Sequence, residues 1–94
     1  MDDDELAEKL DLLTKFGNVS NEVYHVETFK GYRDRKDGGF TALTIELWDA
    51  GPSRHDSRWR VRVKDDDTGK EASGNPDGRL DVALANVHWD ALGN

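Results

Sequence analysis

The sequence predicts an α+β domain of order α-β-β-β(-β)-α, a three- or four-stranded antiparallel sheet with two helices packed on one face. Three observations predict it. Arg58-Trp59-Arg60-Val61-Arg62-Val63-Lys64 alternates strictly, so Trp59, Val61 and Val63 share one face of a strand and four cations share the other. Leu80, Ala83, Leu84, Val87 and Ala91 recur at helical spacing. Short polar runs bearing glycine separate the strand-like segments, the sign of hairpins and hence of antiparallel neighbours. A sheet with one apolar face and a helix with one apolar stripe make a single core.

Taken in order, Asp2 to Phe16 reads as a helix. Its acidic start offers N-cap candidates and places negative charge at the positive end of the helix dipole. Leu6, Leu10 and Leu13 step by four and three, and Gly17-Asn18 is a natural stop because glycine tolerates a left-handed C′ residue. Glu22 to Tyr32 is rich in Val, Thr and aromatic residues and reads as a strand. Its alternation is imperfect, so its inward face stays unassigned between Tyr24 with Val26 and Val23 with Phe29. Arg33 to Gly39 is a polar turn in which Gly38 or Gly39 takes positive φ. Phe40 to Asp49 is the clearest central strand, with Leu43, Ile45 and Leu47 alternating against Ala42, Thr44, Glu46 and Trp48. Gly51-Pro52-Ser53 ends it. After the Arg58 strand, Lys64 to Lys70 is a turn, Glu71-Ala72-Ser73 a short fourth strand, and Gly74-Asn75-Pro76-Asp77-Gly78 the break before a last helix over Leu80 to Leu92. The expected core is Leu6, Leu10, Leu13, Leu43, Ile45, Leu47, Trp59, Val61, Val63, Leu80, Leu84 and Val87.

Composition bounds the rest. Ninety-four residues make one domain, 1–94. The hydrophobic fraction, 35%, equals the charged fraction, which suits a small domain with much surface, and the clear periodicities argue against disorder. With no cysteine, disulfides, thiolate chemistry and cysteine zinc sites are excluded. No apolar run approaches the length of a membrane span or a signal-peptide core, so a cytoplasmic protein without membrane partners is expected. The net charge of −7 is unevenly spread: residues 1–11 hold six acids against Lys9, whereas residues 54–64 hold five cations against Asp56. The global charge disfavours non-specific nucleic-acid binding and the local one leaves room for it.

Two stretches are candidates for binding. Arg58, Arg60, Arg62 and Lys64 share a face with Trp48, and cations interleaved with an aromatic on a sheet face bind single-stranded nucleic acid through phosphates and stacking. The same face serves equally as an ordinary solvated one with cross-strand ion pairs, or as a surface for acidic protein, this chain's own N-terminal helix included. On the last helix, with Leu80 at zero, Val82, Ala85 and Trp89 fall at roughly 140–200°, opposite the core stripe. That second stripe offers itself to a protein partner or to a second copy, with Trp89 as anchor.

Elsewhere the chemistry is not assembled. Counting an EF-hand from Asp65 puts Lys70 at the glycine position and Pro76 at the glutamate position, so Asp65, Asp66 and Asp67 read as turn formers. His25, His55 and His88 are far apart with no ligand-like spacing, so no metal is expected. Ser53-Arg54-His55-Asp56-Ser57 holds the residue types of a hydrolase triad, but neighbours on one loop do not form the line of nucleophile, base and orienting acid. No catalytic residue and no cofactor are expected.

The alternating strand from Trp59, the Ala72-Ser73-Gly74 segment and the small-residue helix carrying Ala83, Val87 and Ala91-Leu92 resemble the second half of a double-stranded-RNA-binding-like fold. Gly74 followed by Ala83-Leu84-Ala85-Asn86 is similar to small antitoxins of the HicB type. The resemblance spans about residues 59–92. It implies the α+β fold and, through the families, RNA binding or pairing with a toxin. RNA-binding members carry a lysine cluster entering the helix, where this chain has Pro76-Asp77-Gly78-Arg79-Leu80-Asp81. The expectation is a non-enzymatic protein-interaction module that self-associates through its C-terminal helix, with nucleic-acid binding as the alternative.

Overall fold

The computed structural model describes residues 1–17 and 23–93. It is an α+β arrangement: helix α1 (Asp3–Phe16), strands β1 (His25–Asp34), β2 (Phe40–Asp49), β3 (Trp59–Asp65) and β4 (Glu71–Ser73), helix α2 (Leu80–Ala85) and a closing 3-10 turn, Trp89–Leu92. The four strands form one open antiparallel sheet in sequence order, β1-β2-β3-β4.

Each strand's alternation fixes the register of the next. Phe29 lies opposite Ile45, Ile45 opposite Val63 and Val63 opposite Ala72, a row on the core face. Thr28, Glu46, Arg62 and Ser73 form the corresponding row on the outer face. A register slip of one residue would expose the whole apolar set, so this pairing is strongly specified at β2 and β3. β1 begins at His25 and runs two residues past Tyr32, and Glu22 lies outside the described residues. Its face is now assigned: His25, Glu27, Phe29 and Arg33 look to the core side, Val26, Thr28, Lys30 and Tyr32 away from it. Gly38, not Gly39, takes the left-handed turn position.

The core is Leu43, Val61, Val63, Ala72, Ala83, Val87 and Leu92, with Ile45, Leu47, Trp59, Leu80, Leu84 and Trp89 packed around it half-buried. Ala72, Ala83 and Leu92 were not expected there. Ala72 enters opposite Val63 on β4 and Ala83 from within α2, and Leu92 enters because the C-terminal segment is not one helix. α2 stops at Ala85, the His88 N–H turns to the Ser73 carbonyl (3.1 Å), and Asn86 Nδ2 donates to the Asn75 carbonyl (3.1 Å). Backbone partners offered by the end of β4 replace the helical ones, and the 3-10 turn then lays Leu92 into the core at 2% exposure.

α1 is capped as its sequence suggests. Asp2 accepts the Glu5 N–H at 2.8 Å, with Asp3, Asp4 and Glu5 in the first turn. Only its first two turns reach the sheet, on the same side as α2: Leu6 is buried and Leu10 half-buried, the latter against Gly51. Leu13 is a correction, being 54% exposed, and Leu12 and Phe16 are exposed too; Leu10, one turn earlier, already lies against Gly51, past the end of β2. Gly17 closes the helix in right-handed geometry (φ −81°), its N–H on the Leu13 carbonyl at 2.8 Å. Asn18 lies outside the described residues.

Candidate interaction surfaces

The cation-bearing face of β3 is built as the alternation requires, but with one member fewer. Arg60 lies opposite Trp48, Arg62 opposite Glu46 and Lys64 opposite Thr44. Arg62 lies over the Trp48 ring at 5.9 Å and reaches Glu71 at 3.5 Å. Trp48 donates its indole N–H to Glu46 (3.3 Å) and meets Tyr24 edge-on at 5.4 Å. Lys30 extends this face from β1 and bonds Thr44 at 2.6 Å and Asp66 at 3.2 Å. The carboxylates of Glu46, Glu71 and Asp66 thus flank the row of Arg60, Arg62 and Lys64.

Arg58 leaves that face, a correction to the four-cation strand. It precedes β3, and its guanidinium turns to Asp49, a carboxylate only 4% exposed. Arg58 Nε and Nη2 donate to the two Asp49 oxygens at 2.7 and 3.0 Å, and Nη2 and Nη1 donate to Asp3 at 2.8 and 3.3 Å. Its guanidinium also lies over Trp59 at 4.9 Å. One cation therefore ties the start of α1 to the end of β2. The Asp49 hydrogen bonds, then those of Asp3, raise the Arg58 pKa above its already high value, and the Arg58 hydrogen bonds hold Asp3 below the usual carboxylate range. No charge pattern in the sequence marks Asp49 as the buried partner. Its signal is an acid at a core-parity position of β2.

The acidic turn after β3 is a second clasp. Asp65 is 2% exposed and accepts the Thr41 hydroxyl (2.7 Å) and the N–H groups of Asp67 (2.8 Å) and Thr68 (3.1 Å). Asp66 accepts from Thr44, and Asp67 from Thr41. These acids form the turn, as expected, and also lock it to β2.

The three residues of the second helical stripe do not share a face. Val82 and Ala85 are on α2, half-buried and exposed, whereas Trp89 is on the 3-10 turn and packs against the core. The Trp89 indole N–H donates to the Leu84 carbonyl at 3.2 Å, and its own carbonyl accepts from Arg33 at 3.2 Å. The helical wheel that grouped them assumed a continuous helix.

Large exposed apolar side chains cluster instead on the far half of α1 (Leu12, Leu13, Phe16) and along β1 (Val26, Phe29, Tyr32). β1 is an edge strand. The Arg35 N–H donates to the Gly39 carbonyl and the Ala50 N–H to the Arg58 carbonyl, both at 2.8 Å. By the two-residue period of a strand, the odd residues of β1 bond to β2, and Val26, Thr28, Lys30 and Tyr32 direct their N–H and C=O to the open edge.

Among the described residues no three His, Asp or Glu side chains gather to hold a metal ion, and no helix is long and apolar enough to cross a membrane. The cleft between α1 and the loop after β2, lined by Leu10, Asp11, Thr14, Gly51 and Arg54, encloses about 240 Å³, below the roughly 300–1,000 Å³ usual for small-molecule sites. Comparison with family models, curated proteins and solved structures gave no match.

Proposed function

We propose that the chain is a small, non-enzymatic protein-interaction module of the cytoplasm that self-associates. The observation that carries this reading is the exposure of Leu12, Leu13 and Phe16 on α1 and of Val26, Phe29 and Tyr32 on β1, which the core leaves uncovered. In a domain whose apolar fraction is only 35%, apolar side chains left outside the core are costly unless something covers them. Trp89, engaged by Leu84 and the core, serves the fold in this reading, and the association surface lies on α1 and β1.

Sedimentation velocity across low to high micromolar concentration tests it. A concentration-dependent dimer is expected, and Trp89→Ala should lower the melting temperature. A strict monomer throughout overturns the self-associating reading, and a Trp89→Ala variant that melts like the parent but no longer dimerises restores the C-terminal stripe.

A further inference from the structure

Building on that reading, we propose that two copies join through the open edge of β1, antiparallel and centred on Phe29, to form one continuous eight-stranded sheet.

The edge is unusually bare. β1 pairs with β2 over ten consecutive residues, with no bulge and no proline, whereas β4 at the other edge has three residues. Natural sheets guard such an edge with charges, proline or a bulge. The one lysine whose backbone faces this edge, Lys30, has its ammonium drawn back across the sheet to Thr44 and Asp66. The N–H and C=O groups of Val26, Thr28, Lys30 and Tyr32, which no strand among the described residues pairs, are left as a template for another strand.

The sequence of β1 selects a second copy as that strand. For two copies related by a two-fold axis normal to the sheet, facing residues must share parity, so the axis passes through a residue. With the axis at Phe29, Phe29 meets Phe29 and Val26 meets Tyr32, so the exposed apolar side chains of β1 cover one another. Thr28 meets Lys30, Glu27 meets Gly31, and Glu27 lies diagonal to Arg33, twice by symmetry. An axis at Lys30 sets lysine opposite lysine and leaves Phe29 against Gly31. An axis at Gly31 sets Phe29 against Arg33, and one at Thr28 sets Phe29 against Glu27. Among these registers the Phe29 one alone sets Phe29 against an apolar side chain, and it places no two like charges directly opposite. It also continues the core-face row Phe29, Ile45, Val63, Ala72 into the second copy.

The absence of cysteine makes a single introduced thiol a clean reporter. In this register residue 29 occupies a non-hydrogen-bonded pair with Cα atoms about 4.5 Å apart, within disulfide reach. Position 31 lies four residues out of register from its own copy, roughly 13 Å away, and a Cβ at Gly31 meets open space, so the fold tolerates the change. Phe29→Cys, Gly31→Cys and Leu13→Cys are oxidised mildly at a concentration where the parent dimerises, and the disulfide-linked dimer is followed on a non-reducing gel. Phe29→Cys is expected to cross-link at least tenfold faster than the other two. Equal rates, or Leu13→Cys fastest, overturn the edge and leave the module reading standing, whereas a parent that never dimerises overturns both. Thr28→Pro gives an independent check. Its N–H faces the open edge, so proline there spares the β1–β2 ladder while blocking a second strand. A folded, monomeric Thr28→Pro is expected, and a folded dimer overturns the proposal.

Discussion

Asp65 carries more of the fold than its place in an acidic turn suggests. Its carboxylate is 2% exposed and satisfies the Thr41 hydroxyl and two backbone N–H groups. The Thr41 hydrogen bond, helped by the N–H groups of Thr68 and Asp67, holds its pKa below the usual 3.8 against the opposing effect of burial. Asp66 is lowered chiefly by the Thr44 hydroxyl, and Asp3 chiefly by Arg58. All three shifts have the same sign. A carboxylate held lower in the folded state stabilises it at pH values above the unfolded pKa, and that contribution disappears as pH falls through the folded value. The melting temperature measured by calorimetry should therefore be steady down to about pH 5 and fall steeply below about pH 4. Asp65→Asn should melt lower than the parent at pH 7, because the three hydrogen bonds on Oδ1 lose the charge that strengthens them, and should show a shallower acid decline. An unchanged acid limb would mean that the Asp65 charge does not contribute.

At the scale of elements, the joint between β4 and the end of α2 decides the C-terminal half. A Cβ on Gly74 would run into the Asn86 carbonyl and the Val87 amide, both backbone. That close approach lets the His88 N–H reach Ser73, ends α2 at Ala85 and swings Trp89 and Leu92 inward. Gly74→Ala should cost about 1–3 kcal/mol, because backbone rather than a flexible side chain has to move. In a domain of this size that is roughly 4–8 °C of melting temperature per kcal/mol. Urea unfolding would register it as a lower midpoint with unchanged slope, and a neutral result would show that the joint relaxes freely. α1 shows the opposite case: its cap and acidic first turn make it a good helix locally, while only Leu6 is fully buried.

For the whole molecule, the radius of gyration is 15.3 Å, against about 12 Å for a compact chain of this length. Much of the chain is surface, and that surface is acidic, at −7. Nucleic-acid binding through Arg60, Arg62, Lys64 and Trp48 competes with this charge and with the carboxylates of Glu46, Glu71 and Asp66 set among the cations. Fluorescence anisotropy with single- and double-stranded probes near physiological salt should show nothing tighter than weak micromolar affinity. Submicromolar binding with a steep salt slope, lost in the Arg60→Glu/Arg62→Glu double variant, would move the function to that face.

Sequence alone determined what depends on local period and local chemistry. β2 and β3 were legible to within a residue because Leu43, Ile45, Leu47 and Trp59, Val61, Val63 alternate without a break. The cap of α1, the turns and the short β4 arm followed from residues acting on their own neighbours. Tertiary structure decided whatever depends on a distant partner. Arg58 alternates with Arg60 and Arg62, yet a buried carboxylate nine residues earlier turns it to the other side. Trp89 and Val82 share a helical wheel, yet the wheel fails once Ser73 and Gly74 capture the chain after Ala85. β1 reads as a strand in either case, but that it lies at the edge, with Phe29, Val26 and Tyr32 uncovered, is a property of sheet order. Periodicity is a property of the chain's own repeat, whereas burial is a property of what comes to lie beside it.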